Sequence, residues 1–238
     1  MKNPWIIIGV VTVALFAGAF YLAGQAQEQN NVGIELKTQV KGNPDAEVVL
    51  TKYSDFQCPA CQAVAPFAAE LVEQYPDQLR FEYKHFPLEQ IHPFALAAAM
   101  AAEAAGQQDQ FYAYHDLLFE NLNEWSSSAA PAAFFTRYAE ELELDMDQFR
   151  RQSNASALRD KVRADFAEGR ALGVGGTPTF FLNGEPMKAA NGDNLPFSEI
   201  MLRVARAIDP EAAATAELES EDTAVVGEVE GTPVRFGI

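Results

Sequence analysis

The chain has 238 residues, of which 48% are hydrophobic, so it is long and apolar enough to bury a core without depending on disulfide bonds. It carries 34 acidic residues against 17 basic ones, a formal net charge of −17 at pH 7. Such an acidic surface repels phosphate backbones and anionic lipid headgroups, which argues against a nucleic-acid-binding protein.

An uncharged apolar segment near the N-terminus predicts a membrane anchor or signal segment over residues 1–25. It runs from Ile6 to Ala23. A helix of that length spans about 27 Å, close to the ~30 Å hydrocarbon core of a bilayer. Few basic residues follow, which favours a single-pass protein of the cell membrane whose remaining chain is extracytoplasmic. The alternative is a signal segment cleaved near Ala26, which leaves a secreted or periplasmic protein. Disulfide bonds persist in either location.

A strand–helix–strand pattern follows a predicted linker at residues 26–37, which is polar and contains scattered Gly and Asn. Residues 46–56 are rich in β-forming residues and predict a strand, and Pro59 then begins a helical pattern. Residues 79–86 alternate in polarity and predict a second strand. This order indicates a right-handed βαβ unit with parallel strands.

A helical block and a return to the sheet are predicted next. Residues 93–172 are mostly helical in pattern. Residues 177–192 predict two short strands joined by a type I′ turn at Asn183-Gly184. An amphipathic helix is predicted at residues 195–208.

These elements predict one α/β domain over residues 38–209, in which an inserted helical domain interrupts a small mixed sheet. The tail that follows, residues 210–238, is acidic and rich in alanine, and it is predicted to be disordered.

The chain contains two cysteines, Cys58 and Cys61, in the sequence "DFQCPACQ". A zinc site needs about four ligands, and only His85, His92 and His115 could join the pair, at intervals unlike those of zinc fingers. A structural disulfide between the two would close a very small loop and stabilise little. No metal or other cofactor is therefore expected, and a redox pair is favoured.

The predicted helix gives the two thiols different roles. If Cys58 lies at the helix N-terminus, with Pro59 in the first turn, free N–H groups and the helix dipole favour its thiolate. Cys61 lies one turn further along the same face. Cys58 would then be the attacking thiol and Cys61 the buried resolving thiol. When oxidised, such a pair accepts electrons from a substrate dithiol through a mixed disulfide.

A second motif, "GVGGTPTFFLNG", lies well downstream of the cysteines. Pro178 begins its apolar strand, and X-Pro is the kind of peptide bond in which the cis form costs little. A cis Thr177–Pro178 bond would turn the Thr177 backbone outward, where it could pair with an extended peptide. An ordinary trans proline in a loop is the alternative.

Four stretches resemble the DsbA-like thiol–disulfide oxidoreductases of the thioredoxin superfamily, and more narrowly the membrane-anchored bacterial type. They are "VVLTKYSDFQCPAC", "FEYKHFPL", "HPFALAAAMAAEAAGQQDQFYAYHDLLFEN" and "GVGGTPTFFLNG". The resemblance covers about residues 38–209. It implies a thioredoxin fold, a mixed central sheet flanked by helices, with an inserted helical domain at about residues 93–172.

The resemblance also implies a protein dithiol–disulfide oxidoreductase with catalytic Cys58 and Cys61, and with Thr177 and a cis Pro178 that bind substrate. It implies substrates among cysteine-containing exported proteins and a membrane or quinone-linked redox partner. Two alternatives stay open: a disulfide isomerase or reductase, and a non-enzymatic copper-binding module in which the cysteines act as soft ligands.

Three residues near the cysteines are candidates for tuning the redox potential. Strongly oxidising members of the family often carry Pro-His between the cysteines, whereas this chain has Pro59-Ala60 and lacks the imidazole. Related proteins often place an acidic residue six positions before the first cysteine, where this chain has Lys52. Lys52 could stabilise a thiolate or extend its amine outward to solvent.

Four other polar residues receive structural interpretations. Asp55 is predicted to be a turn or capping residue rather than an acid catalyst. His85, at a strand end, is predicted to be a hydrogen-bonded structural histidine. His92 precedes Pro93 and is predicted to begin a helix, and His115 is predicted to pack within an aromatic helix.

Overall fold

The computed structural model describes residues 4–189 and 191–210. In this part the chain forms a mixed sheet of five strands flanked by helices, which confirms the fold class predicted from the sequence. The strands are β1 (Gln39–Gly42), β2 (Val48–Ser54), β3 (Leu79–His85), β4 (Thr179–Leu182) and β5 (Glu185–Pro186). The helices are α1 (Pro4–Asn30), α2 (Pro59–Gln74), α3 (Ala95–Gly106), α4 (Phe111–Glu120), α5 (Leu122–Ser126), α6 (Pro131–Glu141), α7 (Met146–Gln152), α8 (Ser156–Ala171) and α9 (Phe197–Ile208).

The sheet has the strand order β1-β3-β2-β4-β5. The central strands β2 and β3 are parallel and joined by α2, so the predicted βαβ unit is confirmed. The other three strands pair antiparallel with their neighbours. Asn183 and Gly184 connect β4 to β5 with φ of 49° and 83°, the two positive angles that a type I′ turn requires.

Alternation along β2 and β3 separates two faces of the sheet. Leu50 on β2 and Phe81 on β3 pack on one face, against α2 and α9. Tyr53 points to the opposite face, where it contacts Phe86 and Phe181. The helices α3 to α8 lie between β3 and β4 in the chain and form the predicted insertion. Their buried side chains make one core that includes both cysteines.

Helix α9, the predicted amphipathic helix, packs on the face of the sheet that carries Leu50 and Phe81. Ile200 and Val204 are buried against the sheet, whereas the charged residues of α9 lie toward solvent. The tail predicted to be disordered, apart from its first residue, lies outside the residues that the structure describes.

Strand β1 is absent from the sequence-based prediction. Its four residues, "QVKG", carry no repeated alternation of apolar and polar side chains. The strand forms because the free edge of β3 offers backbone hydrogen bonds and because a side chain of α3 binds the Gln39 side chain. The Gln39 side chain donates to Glu103 of α3 at 2.9 Å.

Helix α1 continues to Asn30, past residue 25, where an anchor is predicted to meet a linker. Residues 25–29 are Gln, Ala and Glu, which favour helix, and no helix-breaking residue occurs before the Asn-Asn pair and Gly33. Ile8–Asn30 is the one helix in the described residues long and apolar enough to cross a membrane, and its hydrophobic window is fully exposed.

The remainder of the predicted linker is bound to the helical insertion. The Asn31 side chain accepts a hydrogen bond from the Ala157 backbone at 3.1 Å. The Gln107 side chain pairs with both backbone groups of Glu35, at 2.7 and 2.9 Å. The segment predicted to be a linker is thus held by the Gln107 side chain, just after α3, and by the backbone of α8.

A buried cluster of charged side chains joins the sheet to the insertion. Glu103 of α3 accepts hydrogen bonds from His85 Nε2 at 2.8 Å and from Lys161 Nζ at 2.9 Å. Lys161 also contacts Asp165 on α8, at 3.1 Å, and Asp165 accepts from the His85 backbone N–H. The interpretation of His85 as a structural histidine is consistent with these contacts, since its Nε2 and its backbone N–H both have hydrogen-bond partners.

Candidate functional site

Cys58 is the N-cap residue of α2, and Pro59 occupies the first helical position. The backbone N–H groups of Cys61 and Gln62 donate to the Cys58 carbonyl at 3.0 and 3.1 Å, which starts the helix. Both thiols are free. Cys58 is 7% exposed and Cys61 is fully buried, so the attacking thiol predicted from the sequence is the one nearer to solvent.

The surroundings of the two thiols move their pKa values in opposite directions. The hydrogen bond from the Cys61 thiol, helped by the backbone N–H groups of Ala60 and Cys61, lowers the pKa of Cys58 to about 5 against the opposing effect of burial. Burial, together with the hydrogen bond that it gives to Cys58, raises the pKa of Cys61 well above its ordinary value. At neutral pH the pair therefore holds one thiolate and one thiol.

Thiolate titration of the reduced full-length chain tests this arrangement. We expect one cysteine to ionise with a midpoint near pH 5, because Cys61 and the helix N-terminus stabilise the Cys58 thiolate. The measurement is the ultraviolet absorbance of thiolate against pH. The Cys58→Ser variant should lack this transition, and Cys61→Ser should raise its midpoint. A single transition near the ordinary value of about 8.5 would contradict the arrangement.

The loop that carries the downstream motif lies beside Cys58. The Thr177–Pro178 peptide bond is cis, in agreement with the expectation from the sequence. The Cys58 sulfur lies 3.4 Å from the Thr177 carbonyl oxygen, to which it donates a hydrogen bond when it is protonated. Asn194 donates to the Pro178 carbonyl at 2.8 Å, and Thr179 Oγ1 donates to the Gly176 carbonyl at 2.8 Å. These bonds hold the loop that brings Thr177 to the sulfur.

Lys52 is fully buried beneath the cysteine pair, so the interpretation that its amine extends outward to solvent is wrong. Alternation along β2 places Lys52 on the same face of the sheet as Leu50. In the strand register it is paired with Tyr83 on β3 and with Phe180 on β4. Its Nζ lies 3.5 Å from the Cys61 carbonyl oxygen. Burial lowers the pKa of Lys52 to about 8, although the nearby cysteines act in the other direction.

Asp55 organises the loop before the cysteines. One carboxylate oxygen accepts from the Gln57 N–H at 2.7 Å, as expected of a turn residue. The other accepts from the Leu88 N–H at 2.8 Å and lies 2.7 Å from His92 Nδ1. The prediction that His92 begins a helix is wrong, because α3 begins at Ala95 and the imidazole is occupied by Asp55. No local sequence pattern indicates this contact, which joins residues 37 positions apart.

The side chains of the remaining predicted residues lie around the pair. Pro59 and Ala60 are exposed at the helix start. His115 is buried against the Phe56 and Phe119 rings, and its Nδ1 lies 2.7 Å from Asp116. Burial lowers the pKa of His115 to about 4, so the ring is neutral at pH 7, in agreement with a packing role.

An apolar groove of about 260 Å³ opens beside the cysteines, between α2 and α4. Ala65, Pro66 and Ala69 form one wall and Phe119 the other. The sequence analysis did not identify this groove, since its walls belong to two helices that are separated in the chain by β3 and α3.

The fold and this site define a class of protein: thioredoxin-fold oxidoreductases with a helical insertion. A family model described as thioredoxin matches residues 35–195, and the chain belongs to that family. A thioredoxin-like oxidoreductase from Silicibacter pomeroyi has 26% identity and a TM-score of 0.61, over 75% of this chain and 96% of that one. These matches support an oxidoreductase.

The arrangement of sheet and insertion is that of DsbA-like proteins. The alpha-DsbA1 protein of Wolbachia pipientis has 20% identity and a TM-score of 0.59, over 74% of this chain and 94% of its own. BdbD of Bacillus subtilis has 18% identity and a TM-score of 0.58, over 71% and 93%. At these identities the similarity shows the fold, which is the fold that the sequence resemblance implies.

Curated relatives match through one part of their length. The Na(+)/H(+) antiporter NhaA 3 of Salinispora tropica is 38% identical over 148 residues, which are 62% of this chain and 22% of the antiporter. The chain thus spans about a fifth of that relative. The name describes a much longer protein, of which this chain matches one part.

Proposed function

We propose that the chain is a membrane-anchored, extracytoplasmic thiol–disulfide oxidoreductase that forms or exchanges disulfides in exported proteins through Cys58 and Cys61. The observation that carries the proposal is the position of the Cys58 sulfur, at a helix N-terminus and 3.4 Å from the carbonyl of Thr177. A stabilised Cys58 thiolate therefore lies next to the Thr177 backbone, which can bind a peptide.

The reaction follows from the different environments of the two sulfurs. A substrate thiolate attacks Cys58 Sγ of the oxidised pair, the Cys58–Cys61 bond breaks, and Cys61 leaves and takes a proton. The second substrate thiol then attacks the substrate sulfur of the mixed disulfide, and Cys58 leaves as a thiolate. The substrate has lost two electrons and two protons, and the pair has gained both electrons.

Substrate is proposed to bind along the loop that begins β4. In the described residues the backbone N–H of Thr177 makes no hydrogen bond, and its carbonyl faces Cys58, so both groups can pair with an extended peptide. The apolar groove beside α2 offers space for a side chain of the bound segment. The redox partner that removes the electrons is proposed to be membrane-bound or quinone-linked, because α1 can place the site at a membrane surface.

Oxidation of substrates is the proposed direction. A stabilised Cys58 thiolate favours the reduced form of the pair, and a favoured reduced form makes its disulfide a stronger oxidant. The test is a redox titration of the full chain in detergent against glutathione. A potential nearer to about −120 mV supports an oxidase. A potential near about −270 mV, the value of thioredoxin, would contradict it and favour the reductase or isomerase alternative.

A further inference from the structure

Lys52 is a buried amine that lacks an ion-pair partner in the part of the chain that the structure describes. Its exposed fraction is 0%, and no carboxylate there lies within 4.0 Å of Nζ. Its neighbours are the Cys61 carbonyl oxygen at 3.5 Å and the rings of Phe119 and Tyr83, at 5.2 and 5.9 Å. A buried ammonium is costly unless a negative charge compensates it.

The titratable groups around Lys52 come from α2, α4 and β3. Helix α2 contributes Cys58 and Cys61, and both raise the pKa of Lys52 in the reduced protein. Strand β3 contributes Tyr83, whose phenol stays neutral because burial raises its pKa. The neighbour on β4 is Phe180, which carries no charge.

Helix α4 contributes His115 and Asp116. Burial lowers the pKa of His115 to about 4, so the ring carries no charge at pH 7. The Asp116 side chain is 48% exposed, and its carboxylate lies 2.7 Å from His115. Neither group touches the cysteine sulfurs. The charge near Lys52 that depends on the redox state is therefore that of the cysteine pair.

We propose that Lys52 takes up a proton when the Cys58–Cys61 disulfide is reduced and releases it when the disulfide forms again. In the oxidised pair the sulfurs carry no charge, and burial favours the neutral amine. In the reduced pair a thiolate is present, and it favours the ammonium. The inference rests on the proposed function, because it requires that the two cysteines alternate between disulfide and dithiol.

The step balances without an additional reactant. The substrate dithiol supplies two electrons and two protons as its own disulfide forms. Both electrons go to Cys58 and Cys61, whose bond breaks. One proton goes to Cys61, which becomes a thiol, and the other goes to the Lys52 amine, while Cys58 stays a thiolate. The charges on thiolate and ammonium cancel.

The pH dependence of the redox equilibrium tests the inference. The window is about pH 6 to 7.5, above the Cys58 pKa of about 5 and below the Lys52 pKa of about 8. Each proton taken up on reduction changes the equilibrium constant tenfold per pH unit, or about 30 mV for a two-electron couple. For the half-reaction, measured as a midpoint potential against a reference electrode that does not depend on pH, we expect a hundredfold change per pH unit in the full-length protein and a tenfold change in Lys52→Met.

A matched control is Lys37→Met, which removes an amine that is 41% exposed and paired with Asp109 on the surface. It should keep the hundredfold dependence of the natural chain. Equal slopes for the natural chain and Lys52→Met would overturn the inference. If no chain forms a disulfide that titrates, the proposed function itself fails, and the two failures are thus distinguishable.

A second measurement requires no substitution at Lys52. Nuclear magnetic resonance of the Lys52 side chain in the full-length protein reports its protonation in each redox state. We expect the pKa of the amine to be lower in the disulfide form than in the dithiol form by about two units or more, since the amine must be neutral across the pH window when the thiolate is absent. An unchanged pKa would overturn the inference even if Lys52→Met does not fold.

Discussion

Replacing Cys58 with serine is expected to reduce turnover of a model dithiol peptide to the rate of the uncatalysed reaction. A serine oxygen cannot form a disulfide, and its proton is not lost at neutral pH, so neither the mixed disulfide nor the stabilised thiolate can form. The assay is the oxidation of a fluorescent dithiol peptide by the full chain in detergent with oxidised glutathione. Full activity in Cys58→Ser would refute the catalytic assignment.

The matched variant is Cys61→Ser, which removes the fully buried thiol and keeps Cys58, the thiol nearer to solvent. We expect it to accumulate a mixed disulfide with the peptide, because Cys58 can be attacked but no resolving thiol is present. The adduct is measured by mass spectrometry of the intact protein. Adducts on Cys61 in the Cys58→Ser variant would reverse the proposed roles, which rest on exposed fractions of 7% and 0%.

Replacing Glu103 with alanine is expected to lower the free energy of unfolding by about 3–5 kcal/mol, the typical cost of breaking a buried ion pair. The substitution removes the carboxylate that compensates His85 and Lys161 in the interior. The value should lie toward the lower end, because Lys161 keeps its contact with Asp165 at 3.1 Å. The measurement is urea unfolding followed by fluorescence of the buried Trp125.

The control for this prediction is Asp109→Asn, which breaks the surface pair with Lys37. That pair is largely exposed, so we expect a change below about 1 kcal/mol. A loss of the same size in both variants would show that the Glu103 cluster contributes no more than a surface contact.

The effect of Glu103→Ala should also depend on pH. Burial acts to raise the pKa of Glu103, but the hydrogen bond from His85 and the charge of Lys161 outweigh it and lower the pKa below 4.5. A group with a lowered folded-state pKa stabilises above its unfolded value, and this stabilisation is lost as pH falls through the folded value. The difference between the natural chain and Glu103→Ala should therefore decrease at acid pH.

Local sequence was sufficient for much of the fold and for the reactive pair. The β-forming residues of β2, the alternation of β3, the Pro59 helix start and the Asn183-Gly184 turn are each local features of the sequence. Each element is found where it was predicted. Strand β1 and the end of α1 were missed. Strand β1 depends on contacts with β3 and α3 that lie far away in the chain. The end of α1 was missed because a polar composition was interpreted as a linker, although Gln, Ala and Glu favour helix.

In the candidate site, too, some features follow from local sequence and others depend on contacts between distant residues. The spacing of Cys58 and Cys61 places them one turn apart at a helix N-terminus, since 3.6 residues complete a turn. The contact between Asp55 and His92 joins residues 37 positions apart, and no local pattern marks it. The loop of Thr177 meets Cys58 across 119 positions, and only its resemblance to a known motif indicated the meeting.

The sequence by itself thus determined the class of fold and the pair of thiols that is proposed to react, because helix periodicity, strand alternation and a helix N-terminus act over a few residues. Only the tertiary structure decided the state of Lys52. A lysine on a strand can extend outward or be enclosed, and α2, α4 and the neighbouring strands enclose this one completely. That burial takes water away from the amine and makes its charge depend on the cysteines, which is the physical reason that it is proposed to follow their redox state.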